Sequence, residues 1–414
     1  MKRIAVIGAG PAGLIAAAFA KTPDTEVILF DRNEKVGKKL YLTGKGRCNI
    51  TNAAEKDEFM RNIPRNPRFL YSAFGGFFNN DIIDLIESNG VPTKVERGGR
   101  VFPESDKSSD VIKALNNNAK NKGVVIRLDT RVKAVEKDEN GFTVSFFGKP
   151  GERFDAVIVA TGGLSYPSTG STGDGYSFAE AFGHTVAKRV PSLVSLATEE
   201  TWAGELAGLS LKNVTLTAFK GKNKVYSELG EMLFTHTGVS GPLVLSASAR
   251  IADEPEGARL FIDMKPALDE QTLEARILRD LEQNKHKQMK NAILGLLPSR
   301  MVPIALDLAG IDPEKTTDTF TKAERRRLTA TLKAIPLTVK KASSMEEAII
   351  TRGGVSIREI DPKTMGSKLV PGLYFAGEVL DVDAYTGGFN LQIAYSTGAA
   401  AGRAAADITN DEWR

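Results

Sequence analysis

Residues 8–13 read Gly-Ala-Gly-Pro-Ala-Gly and follow at once on the β-branched run Arg3-Ile4-Ala5-Val6-Ile7. The spacing is G-x-G-x-x-G, and in this setting it constrains the fold more than any other feature of the chain. Gly8 permits a tight turn, Gly10 lets the backbone approach a pyrophosphate, and Gly13 lets a helix pack closely on a strand, with Pro11 and Ala12 completing the turn. The small apolar stretch Leu14 to Lys21 predicts that helix, and Glu26 to Asp31 predicts a second strand. Strand, glycine turn, helix and strand in about 30 residues make a βαβ unit. Asp31 ends it where a carboxylate can hold a ribose hydroxyl, so a dinucleotide site is expected. The fingerprint does not separate NAD from FAD, because both present an ADP half to the same backbone.

A chain of 414 residues exceeds the usual size of one core, which predicts a main domain carrying inserted material. Its 42% hydrophobic and 26% charged residues are those of a globular protein, and no run approaches the roughly 18 apolar residues of a membrane helix. Cys48 is the only cysteine, so no internal disulfide forms, and His184, His236 and His286 are too scattered for a zinc spacing; no metal site is expected. The first strand begins at residue 3 and leaves no room for an export leader, which makes the cytoplasm the expected compartment. Lys plus Arg number 55 against 51 acids. That excess does not establish an RNA or membrane partner, but it suits an anionic substrate better than an acidic chain would. No stable protein partner is evident.

Residues 81–90 and 108–123 carry the spacing of amphipathic helices, and 124–146 reads as strands with a turn at Asn140-Gly141. "FDAVIVATGG" is a buried strand entering a glycine pair, a second βα junction. From Pro191 the pattern alternates apolar and polar residues rich in Val, Thr and Phe, which predicts an antiparallel sheet or small barrel. Residues 268–335 then carry helical spacing, and after 346 short strands and glycine turns return. The expected division is a nucleotide-binding domain of 1–190 and 346–414, a β-rich insert of 191–265 and a helical insert of 266–345.

Four segments carry a family resemblance: "GKKLYLTGKGRCNITN", "TGGLSYPSTGSTGDGY", "LFTHTGVSGP" and "VPGLYFAGEVLDVDAYTGGFNLQIAYSTG". They resemble, over essentially the whole chain, the bacterial FAD flavoproteins that include aminoacetone oxidase, bile-acid 3-oxo enoyl reductases and a ribosomal RNA dihydrouridine synthase. "ATGG" with "TGDGYSFAEAFGH" is more distantly similar to the flavoprotein of succinate dehydrogenase and fumarate reductase. The resemblance implies an α/β protein, with a discontinuous Rossmann-like FAD domain of the two-dinucleotide-binding type, an inserted β-barrel-like sheet and a small helical subdomain. It implies FAD contacts from Gly8, Gly10, Pro11, Ala12, Gly13, Asp31 and Arg32, and from Lys39. The loop Thr43, Gly44, Gly46, Arg47, Cys48 and Asn49 would line the ribityl chain and ring. Val132, Thr161, Gly162, Gly377, Glu378 and Asp381 are further implied contacts. Gly387, Gly388, Phe389, Asn390 and Leu391 precede and begin a helix whose positive end favours the negative N1/O2 edge of a reduced flavin. Lys45 departs from the pattern, since many relatives have glycine there.

The resemblance allows several activities. One is reduction of a polarised C=C bond, in ribosomal RNA uridine or in a small enone, with NADH or NADPH docking transiently because no second G-x-G-x-x-G exists. Another is oxidation of a small amine such as aminoacetone by oxygen, and a third is a non-catalytic flavin-bearing RNA-binding or sensor protein. Saturating a C=C bond needs a proton donor. Cys48 is a candidate, or else a residue packing beside the ring; a disulfide-type redox role lacks a partner cysteine. His236, inside a family motif, is a second candidate, and Arg47 a third group near the chemistry. His184 is expected to support packing and His286 to lie on a solvated helix face. Lys38 meets either pyrophosphate or solvent, and Tyr166, Ser168 and Thr169 are expected at a substrate mouth. Residues 266–345 hold 14 Lys plus Arg against 10 Asp plus Glu. "KAERRR" and "VKKASS" there either meet RNA phosphates or form a solvated face.

Overall fold

The structure is a computed structural model that describes residues 1–407; the end of the span expected to run to 414 lies outside the described residues. The chain forms two compact units, Met1–Pro191 with the chain from Met345 onward, and Ser192–Ser344.

The first unit is built on a five-stranded sheet in the order Leu373–Phe375, Ala156–Val159, Lys2–Ile7, Thr25–Phe30, Val125–Arg127, with all four strand pairings parallel. Ala5 lies between Val157 and Ile28 in register. The central strands are unbroken apolar runs because both sheet faces are covered, as parallel sheets require. Ile4 to Val6 and Ala156 to Val159 have no exposed surface. Helix Pro11–Ala20 covers one face, and helix Phe389–Asp407 lies against it.

These two helices approach backbone to backbone. A Cβ on Gly398 would stand 2.5 Å from the Ala12 carbonyl oxygen, and one on Gly402 2.3 Å from that of Ala16. The alanine and glycine content of both helices is what makes the approach possible. An antiparallel meander of Val132–Asp138, Gly141–Phe146 and Lys149–Phe154 flanks the main sheet, and a small sheet joins Thr51–Asn52, Arg100–Pro103 and Thr93–Glu96.

The second unit contains a closed six-stranded barrel in the order Leu196–Thr198, Gly238–Ser240, Asn223–Thr235, Ser210–Lys220, Arg259–Asp263, Ile335–Ala342. Leu216, Ala218, Phe234, Leu260, Ile262 and Leu337 are buried and fill its interior. The closing strand follows the helices in sequence, so the helical stretch is an excursion between two barrel strands. Its period of two, with Ile335, Leu337 and Val339 buried and Pro336 and Lys340 exposed, overrides the helical spacing read up to that point. Helix Glu270–Gln283 is capped by Asp269, whose carboxylate accepts from Thr272 N at 2.7 Å. Helix Lys322–Lys333 opens with a Thr321/Glu324 capping box.

Gly402→Val forces a side chain onto a carbonyl that cannot move aside, and is expected to destabilise the first unit by about 1–3 kcal/mol. Gly75→Ala is the control: its Cβ would meet only the mobile end of Lys56 at 3.9 Å, and alanine suits the helix by roughly 0.5–1 kcal/mol. Urea unfolding of the two variants separates the outcomes.

Candidate cofactor site

The glycine turn sits at the carboxyl end of the central strand. Gly8 N donates to Phe30 O at 2.8 Å, and its φ of 106° excludes a side chain, whose Cβ would stand 2.5 Å from Ala160 O. A Cβ on Gly13 would fall 1.7 Å from Gly8 O, so helix and turn are in backbone contact. Gly10 differs: nothing lies within 4 Å of where its Cβ would be. That opening stands before the first turn of helix Pro11–Ala20, which has no acidic residue, and unpaired N–H groups there suit a phosphate. Beside it, Asp31 accepts from Ala9 N at 2.7 Å and from Asn33 N and Nδ2 at 2.8 and 2.9 Å. Burial pushes the Asp31 carboxyl above its usual range, and these hydrogen bonds with the Arg32 charge oppose it. Arg32 donates to Thr172 Oγ1 at 2.6 Å, and Val132 is buried at the start of its strand.

The loop Thr43–Asn49 is held by left-handed residues. Gly44 (φ 58°, ψ 29°) and Lys45 (φ 57°, ψ 42°) are followed by Gly46 at φ 86° and Cys48 at φ 60°. Lys45 therefore occupies a conformation that glycine adopts freely and that costs another residue about 1–2 kcal/mol, which explains glycine as the alternative at this position. The Arg47 guanidinium donates to Glu96 Oε1 at 2.5 Å and to Asp106 Oδ1 at 2.6 Å, and lies 4.1 Å from the Phe102 ring centre. Those bonds raise its pKa. They bind the loop to the strand Thr93–Glu96 and to Asp106.

Cys48 has no exposed surface and belongs to the first unit's core. Burial pushes its thiol up to about 12, against a hydrogen bond with Thr43. The neighbouring Tyr395 hydroxyl is also wholly buried, without a hydrogen-bond partner among the described residues, and burial and Cys48 raise its pKa. A thiol so enclosed fits the reading of Cys48 as a packing residue better than that of a proton donor.

Asn49 Oδ1 and Thr161 Oγ1 are among the other polar atoms buried without a hydrogen-bond partner in the described residues. With the openings at Gly10 and Gly46, they fit a group that brings a phosphate and hydrogen-bond donors and acceptors, as FAD does.

A fixed polar cluster tethers the loops around the site. Lys39 Nζ donates to Glu378 Oε2 at 2.6 Å and Ser165 Oγ at 2.7 Å. Glu378 Oε1 accepts from Ser165 Oγ at 2.9 Å and Thr351 N at 2.8 Å, while Thr351 Oγ1 accepts from Leu164 N and Ser165 N. Asp381 is held by Arg65 Nε and Nη2 at 2.5 and 2.8 Å. Gly387 and Gly388 have φ of 125° and 98°, and a Cβ on Gly388 would strike Thr51 O at 2.3 Å. Asn390 bonds the amide and carbonyl of Ala384, and Phe389 packs edge-on to Phe59 before Leu391 continues the helix. Gly162 and Gly377 take φ of 76° and 78° at their turns. Sequence reading missed Ser165, Thr351 and Arg65: each meets its partner across more than a hundred positions, and no local pattern marks that.

The other predicted residues lie as follows. Lys38 pairs with Glu34 at 3.3 Å. Thr169 is buried and donates to Tyr166 O, and Ser168 is exposed on the same loop. His184 is buried between Glu359 and Ser367 at 3.1 and 2.7 Å, a packing role. His286 lies after its helix, exposed, near Asp318 at 3.4 Å. His236 is in the second unit, exposed on the turn between two barrel strands. Among the described residues no acidic, His or Cys cluster could hold a metal, and no helix is long and apolar enough to cross a membrane.

This fold and cradle define an FAD-dependent oxidoreductase. The chain belongs to the family described as the HI0933-like protein Rossmann domain, whose model matches residues 2–404. It is 32% identical to a 3-dehydro-bile acid delta(4,6)-reductase of Clostridium scindens, over 98% of this chain and 100% of that one. It is 33% identical to the ribosomal RNA dihydrouridine synthase of Escherichia coli, over 95% of each chain. In solved structures it is similar in fold to a 3-ketosteroid-delta4-(5alpha)-dehydrogenase of Rhodococcus jostii. That similarity has a TM-score of 0.50 at 16% identity, over 98% and 97% of the two chains.

The buried thiol has a pH signature. The Cys48 proton stays on in the folded state to about pH 12 but leaves an unfolded thiol near pH 8.5. Between those values the native state binds the extra proton, so stability falls as pH rises, by about 1.4 kcal/mol per unit. The stability difference between wild type and Cys48→Ala is expected to shrink from pH 9 to 11; a constant difference by urea unfolding would contradict the assignment.

Proposed function

We infer that this oxidoreductase saturates a C=C bond conjugated to a carbonyl, with NADH or NADPH as transient electron donor, and that its substrate is uridine in ribosomal RNA. The observation that carries this is that end-to-end relatives of the same length are named for that one change. A dihydrouridine synthase saturates a ring bond beside a carbonyl, and a bile-acid delta(4,6)-reductase of a 3-dehydro compound saturates bonds conjugated to one. Two ribosomal RNA dihydrouridine synthases, the second from Haemophilus influenzae at 33% identity, favour RNA. The bile-acid relative favours a small enone as the second reading. An RNA substrate would place the protein in the cytoplasm.

FAD, when bound, supplies the two-electron chemistry. Gly10, Ala12 and Gly13 would offer the free N–H groups of the helix N-terminus to its pyrophosphate, Asp31 would take a ribose hydroxyl, and Asn49 and Thr161 would turn their unpartnered atoms to its polar groups. Arg47 anchors the loop through Glu96 and Asp106. Lys39, Glu378, Ser165 and Thr351 fix the facing loops, so no ordering is required at the moment of reaction. Gly387 to Leu391 aim a helix N-terminus whose partial charge favours an anion. Cys48 packs the loop and keeps its proton. Overall the substrate gains a hydride and a proton, and NAD(P)H is oxidised.

Mass spectrometry of ribosomal RNA from a deletion strain tests the substrate: loss of a dihydrouridine is expected, and unchanged dihydrouridine removes the RNA reading in favour of the enone. In the complemented strain Cys48→Ala is expected to restore the modification.

A further inference from the structure

One face of the barrel is unlike the rest of the second unit. Across three neighbouring strands, one row of residues in register is Lys224, Phe219 and Arg259, and the next is Ser227, Thr217 and Phe261. The intervening residues Ala218 and Leu260 are buried, so by the alternation of strands Thr217, Phe219, Arg259 and Phe261 point outward, and Ser227 and Lys224, the latter past a register shift, are exposed. Phe219 and Phe261 meet edge to face with ring centres 5.7 Å apart, and Arg259 stands 5.8 Å from the Phe261 ring centre. Both rings are only half-buried. The hairpin that ends the face, Lys220 to Lys224, adds Lys222 and Lys224, both exposed and without an ion pair among the described residues. Lys220 pairs with Glu254, and Arg259 donates to Gly221 O, which holds its guanidinium over the face.

By contrast, several cations of the helical stretch are committed. Arg325 pairs with Glu274, Lys315 with Glu324, Lys290 with Glu314, and Arg327 donates to two backbone carbonyls.

A half-exposed aromatic pair, flanked by cations and interleaved with hydroxyls, is the composition that binds single-stranded nucleic acid: rings stack on bases, cations neutralise phosphates, and hydroxyls bond sugars. We propose that this outer barrel face, centred on Phe219, Phe261 and Arg259 and extended by the Lys222–Lys224 hairpin, binds a single-stranded RNA segment of the substrate. The proposal rests on the RNA reading above and names where in the second unit the substrate strand is held.

The test uses the FAD-loaded full chain and a short fluorescein-labelled oligouridine, with affinity measured across a salt series. Lys222→Glu/Lys224→Glu changes two exposed residues and leaves the fold intact; it is expected to weaken binding about tenfold or more and to flatten the log–log salt slope by about 1.4, which is about 0.7 for each lost phosphate contact. Phe261→Ala is expected to lower affinity about tenfold with the slope unchanged. Unaltered affinity and slope in the double variant overturn the proposal, as does a flattened slope in Lys322→Glu/Arg326→Glu on the helical stretch instead. Binding of anionic phospholipid vesicles without binding of RNA also overturns it. Dihydrouridine in the deletion strain keeps the two ideas apart: if deletion removes it and Lys222→Glu/Lys224→Glu restores it fully with wild-type RNA affinity, this surface is wrong and the substrate reading stands.

Discussion

The contact between Gly13 and the Gly8 carbonyl is the constraint on which the first unit depends. A single carbon added at Gly13 would fall 1.7 Å from that oxygen, so helix Pro11–Ala20 can reach its position only as it is. With the helix seated there, its N-terminus faces the open space at Gly10, and its far side takes helix Phe389–Asp407 at backbone distance through Gly398 and Gly402. An anion site and a packed core thus come from one economy of side chains. The same economy explains the buried, unbroken strands beneath, which need cover on both faces.

Around that frame the site is stiffened by charge and by unusual backbone. Four of the six residues from Gly44 to Asn49 have positive φ, a shape that stays only where its surroundings fix it. The surroundings here are Arg47 on Glu96 and Asp106, and Cys48 sealed in the core. On the other side Lys39 and Glu378 join segments 339 positions apart in the chain. The pair is partly buried, and its carboxylate accepts two further hydrogen bonds, from Ser165 and Thr351, which is what makes such an ion pair tolerable.

What could be read from the sequence was what local pattern encodes. The strand, glycine turn, helix and Asp31 form one continuous segment, so spacing alone placed them, and the alternation after Pro191 announced the barrel. The closing strand Ile335–Ala342 was hidden because it follows a helix without a break and its period of two is short. Residue type named Arg47 and Cys48 but could not say which way they face: the first meets carboxylates from a distant hairpin, and the second turns into the core at φ 60°. Thr351 and Arg65 had no signal, since a hydrogen bond over such separations leaves no mark in neighbouring residues.

The central claim is that this flavoprotein passes electrons to a conjugated C=C bond. It is tested most directly by reducing the FAD-loaded protein under anaerobic conditions and adding ribosomal RNA that lacks dihydrouridine. The flavin absorbance is predicted to return without oxygen, in step with dihydrouridine formed in the RNA. A flavin that stays reduced with both RNA and a 3-oxo enoyl steroid, and reoxidises only when oxygen is admitted, would contradict it.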